Sequence, residues 1–121
     1  MAEIEEHEQD CLYFLNKKVT EAHKFLDQMA KYFPPERFYE YHRTFYHNDF
    51  GISTLRETLG EVGELAGLIH LVRDWYCYPI TPMSFDRLMK QSRKALLFFN
   101  DPMNIMYYTE NYDLIRKNET I

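Results

Sequence analysis

Glycine and proline are scarce in this 121-residue chain, four and five in number. That scarcity excludes collagen-like and low-complexity architectures and argues against an all-β fold rich in turns. Cysteine is scarcer still: Cys11 and Cys77 stand too far apart for a CxxC or zinc-knuckle site and are too few for a disulfide scaffold, so both are expected as reduced thiols. No run of about eighteen apolar residues occurs, which excludes a membrane span. The acidic start MAEIEEHEQD has neither the basic nor the apolar region of a secretory signal, and a cytoplasmic protein is expected. Positive charge is also in deficit, with a formal charge of −5 and a pI near 5.5, so no nucleic-acid partner is expected.

What the chain has is apolar and aromatic side chains, 45% and 17% of its residues. That is enough for one ordinary core at this length, and residues 1–121 read as a single helical domain without internal repeats or linkers. The expected fold is an all-α bundle of four or five helices with a long N-terminal helix. Leu12, Leu15, Val19, Ala22, Leu26, Met29 and Phe33 recur at steps of three and four, which predicts that long first helix. Pro34 and Pro35 stop it and open a second over residues 36–49, with Phe38, Tyr41 and Phe45 inward and Gly51 as a left-handed C-terminal cap. Ser53 or Thr54 is placed to cap a short helix, Thr54 and Glu57 having capping-box spacing, and Gly60 to break it.

The next helix, residues 61–76, carries two stripes, Val62, Leu65, Ile69, Val72 and Tyr76 on one side and Gly63, Gly67, His70 and Asp74 on the other. A helix striped on two sides sits between neighbours, and its paired glycines suit close approach of another backbone. Ser84 or Thr81 caps a further helix reaching about Phe99, with Phe85, Leu88, Ser92, Ala95 and Phe99 on one face. Residues 103–115 form a short last helix, and 116–121 a frayed end.

The chemistry lies in the central third, which reads H-x4-H, twenty-two residues, then H-x3-D: His42, His47, His70 and Asp74. Imidazole and carboxylate are good ligands for zinc, iron or manganese, and His70 and Asp74, at i and i+4, project from one helix face. Five residues separate His42 from His47 by roughly 140° around a regular helix, so both point inward only if the helix ends or widens near His47, and Asn48, Asp49 and Gly51 make an ending there the expectation. If it continues, the inward set becomes His42, Asp49, His70 and Asp74. The competing reading makes these histidines ordinary core residues bonded to carbonyls or to the ten tyrosines. His7, in the acidic leader, and His23, beside the first stripe, read as bystanders, and Cys77 as packing. Ser53, Ser84 and Ser92 lack the G-x-S-x-G turn of a nucleophilic serine. Hemerythrin-like and DinB-like bundles are disfavoured because no H-x3-H or H-x3-E pair occurs.

Residues 41–75 carry His42 and Arg43, then His47, Gly51 and Ile52, Gly60, and His70, Leu71 and Asp74. This pattern resembles that of a family of small helical bacterial and phage proteins with no established activity. Where members often have a second histidine after the middle one, this chain has Asn48. The resemblance implies that His42, His47, His70 and Asp74 act together. Residues 55–69 are also similar to the first acidic helix of MazG-type nucleotide pyrophosphohydrolases, which implies magnesium at Glu61 and Glu64. The E-x2-D motif expected on the following helix is missing, Asp86 standing there without its glutamate. A different class of reading is a metal-free interaction module, a phage-encoded modulator of a host protein, or a homodimer. It rests on interface-type residues such as Tyr76, Tyr78, Met83, Met103, Tyr107, Tyr108 and Tyr112.

Overall fold

The computed structural model describes residues 3–33, 39–76 and 79–110. Among these it is an all-α bundle with no strand. Its helices are α1 (Ile4–Leu15), α2 (Thr20–Leu26), α3 (Arg43–Tyr46), α4 (Asp49–Tyr76), α5 (Phe85–Phe99) and α6 (Pro102–Glu110). Two 3-10 turns, Ala30–Tyr32 and Tyr39–His42, join α2 to α3. No described helix is long and apolar enough to cross a membrane.

The long N-terminal helix expected from the stripe is divided. Asn16 adopts the left-handed conformation (φ 60°) and its N–H returns to the Leu12 carbonyl, closing α1 with a residue type that tolerates this region. Val19 is left-handed as well (φ 48°), and α2 starts after it. The three-four spacing runs across this break, so periodicity alone could not reveal it. The helix also begins earlier than the stripe: Glu3 and Glu6 form a reciprocal capping box, with acidic residues suiting the positive end of the helix dipole. The leader is therefore structured, and it carries His7 and Asp10 inward.

The second predicted helix is also shorter. Its expected start over 34–38 lies outside the described residues. From Tyr39 the chain forms a 3-10 turn and the single α-turn α3, ending at His47 (φ −81°, ψ 54°). Asn48 explains the ending, because its side-chain oxygen accepts the Gly51 N–H and so caps α4. Gly51 is then inside α4 and not a left-handed cap, a correction with a steric cause: a Cβ there would lie 1.8 Å from the Tyr46 carbonyl oxygen. Ser53 and Thr54 likewise fall within α4, and the Thr54 hydroxyl donates back to the Phe50 carbonyl.

Gly60 bends α4 as expected of a breaker. Its backbone (φ 73°, ψ −159°) lies in a region nearly restricted to glycine. Beyond the bend the second arm folds back on the first, so that a Cβ at Gly67 would meet Ile52 and Leu55 side chains at 2.7 and 2.8 Å. The close backbone approach expected of the paired glycines occurs at Gly63, where a Cβ would lie 2.7 Å from the Leu55 carbonyl oxygen, while Gly67 makes room for side chains. Helix α4 packs against α1, α2 and α5, and of its two expected stripes Gly63, Gly67, Ile69, His70, Val72 and Asp74 are buried while Val62 is exposed.

Helix α5 matches its expected face, with Leu88, Ser92, Ala95 and Phe99 buried and Ser84 as N-cap, while Phe85 is exposed. Leu26, Leu55, Ile69, Leu71, Leu88 and Ile105 are fully buried, each stabilising the fold by about 1.5–3 kcal/mol through apolar burial. Cys11 is a free, buried thiol whose pKa burial pushes up to about 12. Cys77, Tyr78 and Tyr112 lie outside the described residues.

Candidate metal centre

Five histidines and two aspartates converge inside this core. His7 comes from α1, His23 and Asp27 from α2 and its end, His42 and His47 from either side of α3, and His70 and Asp74 from α4; every imidazole is buried. The turn at His47 and Asn48 settles how His42 and His47 face the same way despite their five-residue spacing. Their rings stand edge to face with centroids 5.1 Å apart. Asp49, the alternative donor, instead exchanges hydrogen bonds with Asn100: its N–H donates to Asn100 Oδ1 and Asn100 Nδ2 donates to its carboxylate.

Two groups bring their donor atoms within 4.8 Å of one another, His7 with His23 and His70, and His47, His70 and Asp74 with Asp27; the second combines imidazoles with carboxylates. His70 Nε2 is 3.2 Å from His47 Nε2, from Asp27 Oδ1 and from Asp74 Oδ2. His47 Nε2 is 2.9 Å from Asp74 Oδ2 and 3.4 Å from Asp27 Oδ1. His42 joins through Asp27, its Nε2 standing 3.1 Å from the same Oδ1. Metal–ligand bonds of about 2.0–2.2 Å give polyhedron edges of roughly 3.3–3.6 Å in a tetrahedron and 2.8–3.1 Å in an octahedron. The observed separations span that range, so this donor set fits a single divalent ion.

The electrostatics are set by two anions, Asp74 buried and Asp27 partly buried, among buried imidazoles. Burial opposes ionisation of Asp27 and of Asp74, yet both are held below the usual carboxylate range, Asp27 chiefly by His70 and His42, Asp74 chiefly by Arg43, His7 and His70. Arg43 reaches Asp74 Oδ1 at 3.4 Å, leaving Oδ2 for His47 and His70. Burial disfavours a charged His70, but the two carboxylates outweigh it and raise its pKa to about 9. Burial dominates at His47 and lowers it to about 3. The extra proton on His70 thus offsets the charge of the two carboxylates.

Asp27, 20% exposed, is the point at which the cluster meets solvent, the histidines and Asp74 being closed off. Arg73 ties the surrounding helices together: it donates to both oxygens of Asp10 at 3.0 and 3.2 Å and to Glu6 at 2.6 Å, pinning α1 to α4 and His7 against His70. His7 Nε2 lies 3.3 Å from Asp74 Oδ1. The glutamates of the pyrophosphohydrolase resemblance lie elsewhere, Glu61 exposed and Glu64 paired at 3.5 Å with Arg56.

His42, His47, His70 and Asp74, which their sequence spacing groups, meet in the structure. Asp27, absent from that grouping, stands among them, and His7 and His23, expected as bystanders, pack against His70. One signal was available for Asp27: His23 and Asp27 form a second H-x3-D pair, with the spacing of His70 and Asp74. Compared with protein-family models, curated proteins and solved structures, the chain matches none.

Proposed function

We propose that this chain binds one divalent transition metal, held by His47, His70, Asp74 and Asp27 with His42 as a further donor. The observation that carries the reading is the mutual spacing of the four core donors, 2.9–3.4 Å for every pair involving a histidine. Imidazole and carboxylate without thiolate suit zinc, iron(II) or manganese. His70 and His47 supply nitrogen lone pairs, Asp27 and Asp74 supply charge, and Arg43 orients Asp74. A metal held here supplies Lewis acidity to a water, carbonyl or phosphoryl oxygen that reaches it past Asp27.

The test is elemental analysis of protein purified without a histidine tag, paired with thermal melts of chelator-treated protein on adding zinc, manganese or iron(II). The expected result is near-stoichiometric metal, a raised melting temperature on reloading, and loss of both in His70→Ala. A protein that holds no metal and whose melting ignores all three ions overturns the proposal and favours the interaction-module reading.

A further inference from the structure

His23 touches no carboxylate of the metal centre, yet its two ring nitrogens stand in an order that constrains His70. Its Nε2 lies 3.1 Å from the Lys18 carbonyl oxygen and its Nδ1 lies 3.0 Å from His70 Nδ1. A carbonyl oxygen can only accept, so His23 Nε2 carries the hydrogen. A neutral imidazole has one N–H, which leaves His23 Nδ1 bare, and a bare nitrogen can only accept. His70 Nδ1 must therefore be the donor. With Nδ1 protonated, neutral His70 presents Nε2 as a lone pair, and Nε2 is the atom standing 3.2 Å from His47 Nε2, Asp27 Oδ1 and Asp74 Oδ2.

We infer that His23 is a positioning residue that locks His70 in its Nδ1–H tautomer, so that Nε2 is the lone pair offered to the centre. The lock extends to the backbone: Lys18 precedes the left-handed Val19, and that turn aims the Lys18 carbonyl at the ring. The alternative proton arrangement needs a doubly protonated His23, and that ring is fully buried. The other imidazole cluster, His7, His23 and His70, is thereby a stack of rings in which His23 and His70 share a hydrogen bond, and not a second metal position. His7 and His70 lie nearly parallel, 10° between planes with centroids 3.6 Å apart, so their in-plane lone pairs cannot converge, and the His23–His70 gap is already filled by a proton. A ligand histidine whose second nitrogen donates to a fixed acceptor is better oriented and more basic, and loss of the acceptor typically weakens metal affinity roughly 10- to 100-fold.

The positioning role rests on the metal reading above; the tautomer does not. Nitrogen-15 spectra of the metal-free full chain, recorded at a pH where His70 is neutral, separate the protonated from the bare ring nitrogen directly. The expected result is Nδ1–H and bare Nε2 at His70, with the reverse at His23. His23→Leu should give a mixed His70 tautomer and bind zinc roughly 10- to 100-fold more weakly, while His23→Gln, whose amide oxygen can accept, should recover the tautomer and most of the affinity. An Nε2–H tautomer at His70 in the unaltered chain overturns the inference without any variant having to fold, as does a His23→Leu protein with tautomer and zinc affinity unchanged. If the Nδ1–H tautomer is found and zinc does not bind the unaltered chain, the lock stands and the metal reading fails.

Discussion

Asp27 Oδ1 lies 3.2 Å from His70 Nε2, although forty-three residues separate them in the chain. Their helices also contribute an imidazole and a carboxylate apiece at i and i+4, His23 with Asp27 and His70 with Asp74. One carboxylate from each pair borders the same nitrogen, while the two imidazoles share a proton on the far side.

This makes Asp27 the donor whose loss should be most informative. Asp27→Asn keeps the shape and removes the charge. It is expected to weaken zinc binding by more than the roughly 10- to 100-fold typical of an outer-shell change, as measured by competition with a chromogenic chelator. Unaltered affinity would remove Asp27 from the ligand set.

Metal uptake should release protons, because His70 holds one in the metal-free chain at neutral pH and a ligand must give it up. About one proton per metal is expected near neutrality, read by calorimetry in buffers of differing ionisation enthalpy. The same shift sets a stability trend. The folded pKa of about 9 lies above the ordinary histidine value of 6.5, so the folded state binds the extra proton between the two. His70's contribution is complete below pH 6.5 and is lost as pH rises through 9. Denaturant melts of metal-free protein should lose stability across that window, and His70→Gln should flatten the slope.

Gly51→Ala should destabilise the fold by about 2 kcal/mol or more, since the added Cβ meets backbone at Tyr46, which cannot swing away. Tyr46 immediately precedes His47, so the same substitution should weaken metal binding. Gly60→Ala meets no neighbour within 4 Å, and its cost, about 1–3 kcal/mol, would come from backbone conformation alone. Chemical denaturation and zinc titration of both variants separate the two mechanisms.

Arg73→Met should cost about 3–5 kcal/mol by leaving the Asp10 carboxylate buried without its partner. Asp10→Asn in the same chain should return part of that loss, because it removes the stranded charge. An Arg73→Met protein as stable as the original in urea would show that the Arg73 bridge does not hold α1 in place.

The all-α class, the turn at Gly60, the face of α5 and the grouping of His42, His47, His70 and Asp74 were legible in the sequence. The first three, and the pairing of His70 with Asp74, are set by local rules: the three-four recurrence of apolar residues, the conformational freedom of glycine, and the one-turn spacing that places His70 and Asp74 side by side. At His47 the spacing left two outcomes, a helix that ends there or a ring turned away, and Asn48 as cap to the next helix decides for the first.

The break at Asn16, the site of Gly51 and the roles of Asp27, His7 and His23 were not legible. A stripe that keeps its phase across a left-handed residue looks continuous, and a glycine's neighbours are known only once two backbones meet.

Composition and periodicity were thus sufficient for the all-α class, the bend at Gly60 and most of the inward face of α5, because those depend on residues within a turn or two of one another. Which five imidazoles share a space, which carboxylate oxygen faces which nitrogen, and where His70 keeps its proton are consequences of packing α1, α2 and α4 together. Burial penalises each charge while strengthening the ion pairs and hydrogen bonds among them, and burial is a property of the assembled fold that no short stretch of chain possesses.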